Sequence, residues 1–189
     1  MNKQEAKRKI IEYFTNQGIT YRLLNEGQRI QELGSIDTIY FSVPAPEVIS
    51  GHIETVLRFR EEHVYCQSYY CQPVVKQNEE EISRASRIIN YINTHLFYEY
   101  DECNAIYGHT LALNENDGDI YNGSLIRYEM LQKFFYETMS YIVDFQVQFL
   151  TDICMPVIGY ITENMDFFHA AHVWIDCRLM GKNTEGRYI

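Results

Sequence analysis

TIYFSVPAPEVISGHIETVLRFREEHVYCQSYY, from Thr38 to Tyr70, is the stretch whose periodicity decides the architecture. Ile53, Thr55, Leu57 and Phe59 alternate with His52, Glu54, Arg58 and Arg60. That period of two belongs to a half-buried antiparallel strand, with Val56 the one apolar residue on the polar side. Upstream, Thr38 to Val43 mixes β-branched and aromatic residues as a strand does, and Pro44 and Pro46 stop it. Downstream, Glu61-Glu62 supplies a polar turn into a third strand, His63 to Tyr70, rich in tyrosine, with Pro73 just beyond.

Helices flank this block. Ala6, Ile10, Ile11 and Phe14 recur at helical spacing and Gly18 follows where a left-handed cap is wanted, which predicts a first helix from about Lys3 to Gln17. Ile19 to Leu24 has room for one more short strand, outside the count of five, and leads into a polar loop, Asn25 to Asp37. On the other side, Asn78 followed by Glu79-Glu80-Glu81 is an N-cap with carboxylates at the positive end of the helix dipole. Ile82, Ala85, Ile88, Ile89, Ile92 and Leu96 draw the apolar stripe that lies on the sheet. Ala105 to Ala112 and Asp119 to Arg127 read as a hairpin, tightest at Asp117-Gly118.

A third helix is expected from about Met130 to Cys154, ended by Pro156. Its apolar residues, Phe145 and Phe149 among them, cover more than half its circumference, more than one sheet face can bury. The surplus needs a cover, either a second subunit or the C-terminal helix, whose Phe167, Phe168, Ala171, Trp174 and Ile175 share a face. The expected fold is α+β: a twisted antiparallel sheet of about five strands in the order α-β-β-β-α-β-β-α, plus a C-terminal helix. Residues 1–161 form the domain and 162–189 a helical extension with a polar tail.

Sixteen Lys and Arg stand against 26 Asp and Glu, a formal charge of −10, which repels phosphate backbones and anionic lipid and so argues against nucleic acid and membrane partners. No run reaches the roughly 18 uninterrupted apolar residues of a membrane span. The basic N-terminus is broken by Glu5 and has no apolar core behind it, so it does not read as a secretory signal, and a cytoplasmic location is expected. Cys66, Cys71, Cys103, Cys154 and Cys177, odd in number and without CxxC spacing, suit reduced, packed thiols.

Candidate chemistry is sparse. His169, His172 and Asp176 would fall within about 60° of arc on a helix, a spacing open to a transition metal or to a solvated flank. The acidic turn Asn114 to Asp119 fails as an EF-hand, because taking Gly118 as the sixth loop position puts Leu113 where the first carboxylate belongs. No nucleophile elbow, Walker loop, dinucleotide fingerprint or HExxH occurs. Sixteen tyrosines, with Tyr65 and Tyr69 on one strand, suit either half-buried strand positions or a protein-binding surface.

The hairpin Leu111-Ala-Leu-Asn114 through Asp117-Gly118-Asp119 to Ser124-Leu-Ile-Arg127, followed by the long apolar helix, resembles the C-terminal half of the YbjN-like family, which shares the fold of type III secretion chaperones. The resemblance covers about Lys3 to Val157. It implies a twisted antiparallel sheet with packed helices, frequent dimerisation, a role in binding or regulating other proteins, and no catalytic residues. The Asn25 to Asp37 loop and the helix after Thr162 depart from it. The expectation is therefore a non-enzymatic protein-interaction module, chaperone-like or adaptor-like, without cofactor, binding a protein partner or its own copy. Phe145, Phe149, Phe168, Trp174, Tyr65 and Tyr69 are the candidate contacts. A small-ligand or metal-binding domain and a subunit of a larger assembly are the alternatives.

Overall fold

The computed structural model describes residues 1–24, 37–76, 78–99, 107–114 and 116–176. Strands β1 (Tyr21–Leu24), β2 (Thr38–Pro44), β3 (His52–Phe59), β4 (His63–Tyr69), β5 (Thr110–Leu113) and β6 (Ile120–Arg127) form one antiparallel sheet. Their order is β1-β2-β3-β4-β6-β5. Six strands replace the expected five or so, because Tyr21–Leu24 pairs along its whole length with Phe41 to Thr38. The fold class is α+β, with α1 (Lys3–Gln17), α2 (Glu79–Glu99), α3 (Tyr128–Lys133), α4 (Phe135–Ile161) and α5 (His169–Ile175).

Local chemistry sets most boundaries. Asn2 caps α1 by accepting the Glu5 amide, and Gly18 ends it at φ +68°. Asn78 accepts the Glu81 amide at 2.8 Å, and the Glu81 carboxylate reaches back to the Lys76 amide at 2.6 Å. On α2 the stripe Ala85, Ile88, Ile89 and Ile92 is buried, while Ile82 is exposed. The strand expected at Ala105 to Ala112 begins only at Thr110, because Gly108 turns the chain at φ +56°. Residues 105 and 106, Cys103, Cys177 and the loop from Asn25 to residue 36 lie outside the described residues.

The third helix differs from expectation in three ways. It breaks at Phe134 (φ −132°, ψ 56°), which separates α3 from α4. It widens at Tyr141–Phe145 into a π-helical turn, where the Gln146 amide donates to the Tyr141 carbonyl. It also runs through Pro156 to Ile161. A proline inside a helix costs roughly 3 kcal/mol. Burial of Val157, Tyr160 and Ile161 beyond it returns about 1.5 to 3 kcal/mol for each large apolar side chain. Although α4 is long and apolar enough to cross a membrane by length and composition, it lies over the sheet, with α2 and α5 covering its remaining apolar arc.

On the helix-covered side the core falls into two apolar clusters. One gathers Ile53, Tyr70, Leu111 and Ile120 under α2, α4 and α5; the other gathers Ile39, Phe41, Leu57, Phe59 and Ile126 under α1, α3 and the start of α4. Between them a polar seam crosses the strands. The Ser68 hydroxyl donates to Gln146 Oε1 at 2.6 Å, Gln146 Nε2 donates to the Ser124 hydroxyl at 2.9 Å, and Thr55 and Ser68 hydroxyls meet at 2.8 Å. Gln146 is fully buried, so these bonds replace water completely. The seam continues through Asn122, whose amide is buried without a hydrogen-bond partner among the described residues, to His109, whose Nδ1 lies 3.0 Å from the Tyr141 hydroxyl.

Replacing Gln146 with leucine takes the amide partner from the Ser68 and Ser124 hydroxyls and is expected to cost about 1 to 3 kcal/mol in urea unfolding. A loss below about 0.5 kcal/mol would show that the seam holds nothing. Burial depresses His109 to about 4, below its unfolded value of about 6.5. The unfolded chain then takes up the proton first as pH falls, so the stabilisation is complete above about pH 6.5 and disappears by about pH 4. The wild type should lose about 3 kcal/mol more than His109→Leu across that window, and parallel pH profiles would contradict this.

Candidate functional site

The register of the ladders sorts side chains onto two faces. Arg22 pairs with Tyr40, Tyr40 with Val56, Arg58 with Tyr65, Tyr65 with Leu125, and Tyr69 with both Glu54 and Tyr121. All of these point away from the helices, and none belongs to either core cluster. Among the described residues no helix packs on this face.

It is an aromatic and basic surface. The Tyr69 and Tyr121 rings lie 5.3 Å apart, Tyr65 and Tyr121 share a hydrogen bond, and Arg58 bonds both Gln67 and Tyr69. Burial, with help from neighbouring Tyr121, pushes the Tyr65 phenol up, so it stays protonated at neutral pH and serves as a hydrogen-bond donor. Gly123 leaves a shallow hollow of about 100 Å³ beside Tyr65, Tyr121 and Leu125, and a Cβ there would sit 3.3 Å from the Tyr65 hydroxyl. Leu125 is exposed on this surface beside Tyr65, where β6 runs on past the end of β5. Arg22, Arg58 and Arg127 lie on it with a single acid of the strands, Glu54.

One corner gathers groups of a different kind. His52 and Glu54, two apart on β3, share this face, and Cys71 follows β4 alongside them; one ligand atom from each lies within 4.8 Å of the others. The Tyr40 hydroxyl bonds Glu54. Cys71 sits at φ +64°, a left-handed conformation that costs a non-glycine residue on the order of 1 kcal/mol. It is held there by Asp119, whose Oδ2 accepts the Cys71 amide at 3.0 Å while Oδ1 accepts that of Ile120 at 2.7 Å. Burial raises the Asp119 carboxyl to about 7, against the pull of those amides. Burial and the Glu54 charge likewise push the Cys71 thiol up. The turn presenting Asp119 is braced by Gly118, whose carbonyl accepts the Val74 and Val75 amides.

The residues singled out from sequence separate into three places. Tyr65 and Tyr69 lie on the helix-free face, where the ladder adds Tyr40 and Tyr121. Phe149 is buried in the core against His109, and Phe145 is half-buried beside it, so Phe149 offers no surface to a partner. Of the stripe expected on the C-terminal helix, Ala171 and Ile175 are buried beside Ala170 and Phe167 packs against the same cluster, whereas Phe168, just before α5, and Trp174 are exposed. α5 is π-helical, with the Asp176 amide donating to the Ala171 carbonyl, and its wider turn carries Trp174 away from the face that Ala171 and Ile175 bury. The same winding parts His169 from His172. His169 pairs with Asp166 at 2.6 Å, whereas His172 meets Asp176 at 3.1 Å and Tyr91 donates to Asp176 at 2.6 Å. The three therefore do not converge on one point. His52, Glu54 and Cys71 escaped notice because only the His52-x-Glu54 alternation is local; Cys71 joins them through strand register.

No family model, curated protein or solved structure matches the chain.

Gly118 has φ +76°, and a Cβ there would lie 2.2 Å from the Val75 carbonyl oxygen. Gly118→Ala should cost about 2 to 4 kcal/mol in chemical denaturation, since strain and a backbone clash add. A change under about 0.5 kcal/mol would show that the turn does not abut Val75 in solution.

Proposed function

We propose that the chain is a non-enzymatic protein-interaction module, chaperone-like or adaptor-like, that docks an acidic protein segment on the helix-free face of its sheet. The observation that carries this reading is the division of the sheet: the described helices all take one face, and the other is left with four tyrosines, an exposed leucine and three arginines. Tyrosine and arginine are the residues that dominate protein interfaces, because they bury large area and still offer directed hydrogen bonds. On a chain of charge −10, a patch with Arg22, Arg58 and Arg127 against Glu54 favours a complementary acidic surface over a basic one.

The size suits the task. Six strands about 4.8 Å apart and four to eight residues long span roughly 24 Å by about 20 Å on average, a projected area of about 500 Å² that side-chain relief enlarges toward the roughly 800 Å² per partner of a stable complex. The likeness of the hairpin and long helix to the YbjN-like family points to the same class of role. Cytoplasmic location, dimer formation and a partner of protein rather than nucleic acid or membrane belong to this proposal.

The tagged full chain should retain a partner from its source lysate, with light scattering showing whether that partner is a second copy. Leu125→Glu combined with Tyr121→Ala should cut retention at least about tenfold, the scale of a hot-spot loss, without shifting thermal unfolding by more than a few degrees. Phe168→Ala with Trp174→Ala should leave retention unchanged. Loss only in the α5 variant, or a monomer that retains nothing, overturns the reading.

A further inference from the structure

We propose that His52, Glu54 and Cys71 form a binding site for a divalent transition metal of the zinc class. Three donor types that such ions accept, imidazole, carboxylate and thiolate, converge from β3 and from the bend just after β4, with one ligand atom of each within 4.8 Å of the others. One cation can bridge atoms that close at bond lengths of about 2.0 to 2.3 Å with sub-ångström adjustments of the side chains.

The surroundings are arranged as a metal site requires. His52 Nδ1 lies 2.8 Å from the Ser50 carbonyl, and since a carbonyl only accepts, Nδ1 carries the proton and Nε2 keeps its lone pair. That Nε2 stands 3.7 Å from Glu54 Oε1. A ligating histidine fixed through its other nitrogen by a backbone carbonyl is the usual outer shell of a metal centre, and the Tyr40 hydroxyl on Glu54 supplies the same support to the carboxylate. Ser50 adds to the clamp by donating to the His52 carbonyl at 2.7 Å. Cys71 is held in its left-handed conformation by Asp119, and backbone strain maintained by a buried carboxylate concentrates where a side chain must be aimed. The neutral imidazole, carboxylate and thiolate together carry two negative charges, which match a divalent ion.

Entry and exit are open, because His52 and Glu54 side chains are 40% and 32% exposed. Three protein ligands leave a fourth position for water or an incoming donor. Binding displaces the Cys71 thiol proton to solvent and involves no redox change. Metal binding here does not depend on a protein partner, so it stands or falls apart from the docking reading.

The test uses the full chain, reduced and freed of metal by chelation, titrated with Co²⁺ as the spectroscopic probe and then with Zn²⁺ in competition. Saturation at one equivalent with a thiolate-to-cobalt charge-transfer band is expected, and Zn²⁺ should erase the band and raise the thermal midpoint. Cys71→Ser should abolish the band, while Cys66→Ala and Cys154→Ala keep it. His52→Ala should weaken affinity at least about tenfold, and Tyr40→Phe by about tenfold. Absence of the band, or its survival in Cys71→Ser, overturns the site. Should Cys71→Ser fail to fold, the half-exposed His52 decides: affinity unchanged in His52→Ala overturns it equally.

Discussion

Gln146 is the constraint on which the rest of the fold depends. It is fully buried on the longest helix, and its amide is held by serines from two adjacent strands, Ser68 on β4 and Ser124 on β6. A leucine stripe alone would let α4 slide by a turn at small cost, since apolar packing has no direction. A buried amide does not allow that, because every other register leaves donors and acceptors unpaired. The π-helical turn at Tyr141–Phe145 ends at Gln146. It introduces the extra residue that lets α4 serve two apolar clusters while keeping this one side chain on the seam between them.

Fixing α4 on one face determines the rest of the layering. With α4 in place, α2 and α5 close over its far side, α1 and α3 cover the second cluster, and the described helices are all on the same side of the sheet. The C-terminal helix is thereby a part of the core, through Ala170, Ala171 and Ile175, rather than a free appendage. What remains is a sheet face that no described helix covers. Its tyrosines, arginines and the His52–Glu54–Cys71 corner belong to one surface because strand register, not sequence proximity, places them there.

The legible part of the sequence was the part governed by local rules. Asn2, Gly18 and Asn78 mark helix ends through side-chain caps and a left-handed residue, and the alternation Ile53, Thr55, Leu57, Phe59 gives both strand and face. The missed features are those where tertiary burial overrides propensity. Pro156 stays inside a helix because Val157, Tyr160 and Ile161 are buried beyond it, and Trp174 turns outward because α5 winds more widely than 3.6 residues per turn. Of the candidate surface, Tyr65 and Tyr69 could be read from one strand. Tyr40 and Cys71 required the registers of the β2–β3 and β3–β4 pairs, and Tyr121 required knowing that β6 inserts between β4 and β5, an order that no periodicity encodes.

The sheet has one closed face and one accessible face, and hydroxyl-radical footprinting of the full chain measures this residue by residue. Tyr40, Tyr65, Tyr69 and Tyr121 should react readily, while Tyr70 and Tyr141, buried on the helix side, should be protected. If the four tyrosines of the helix-free face are as protected as Tyr70, that face is covered by the chain itself and cannot be where the protein meets its partner.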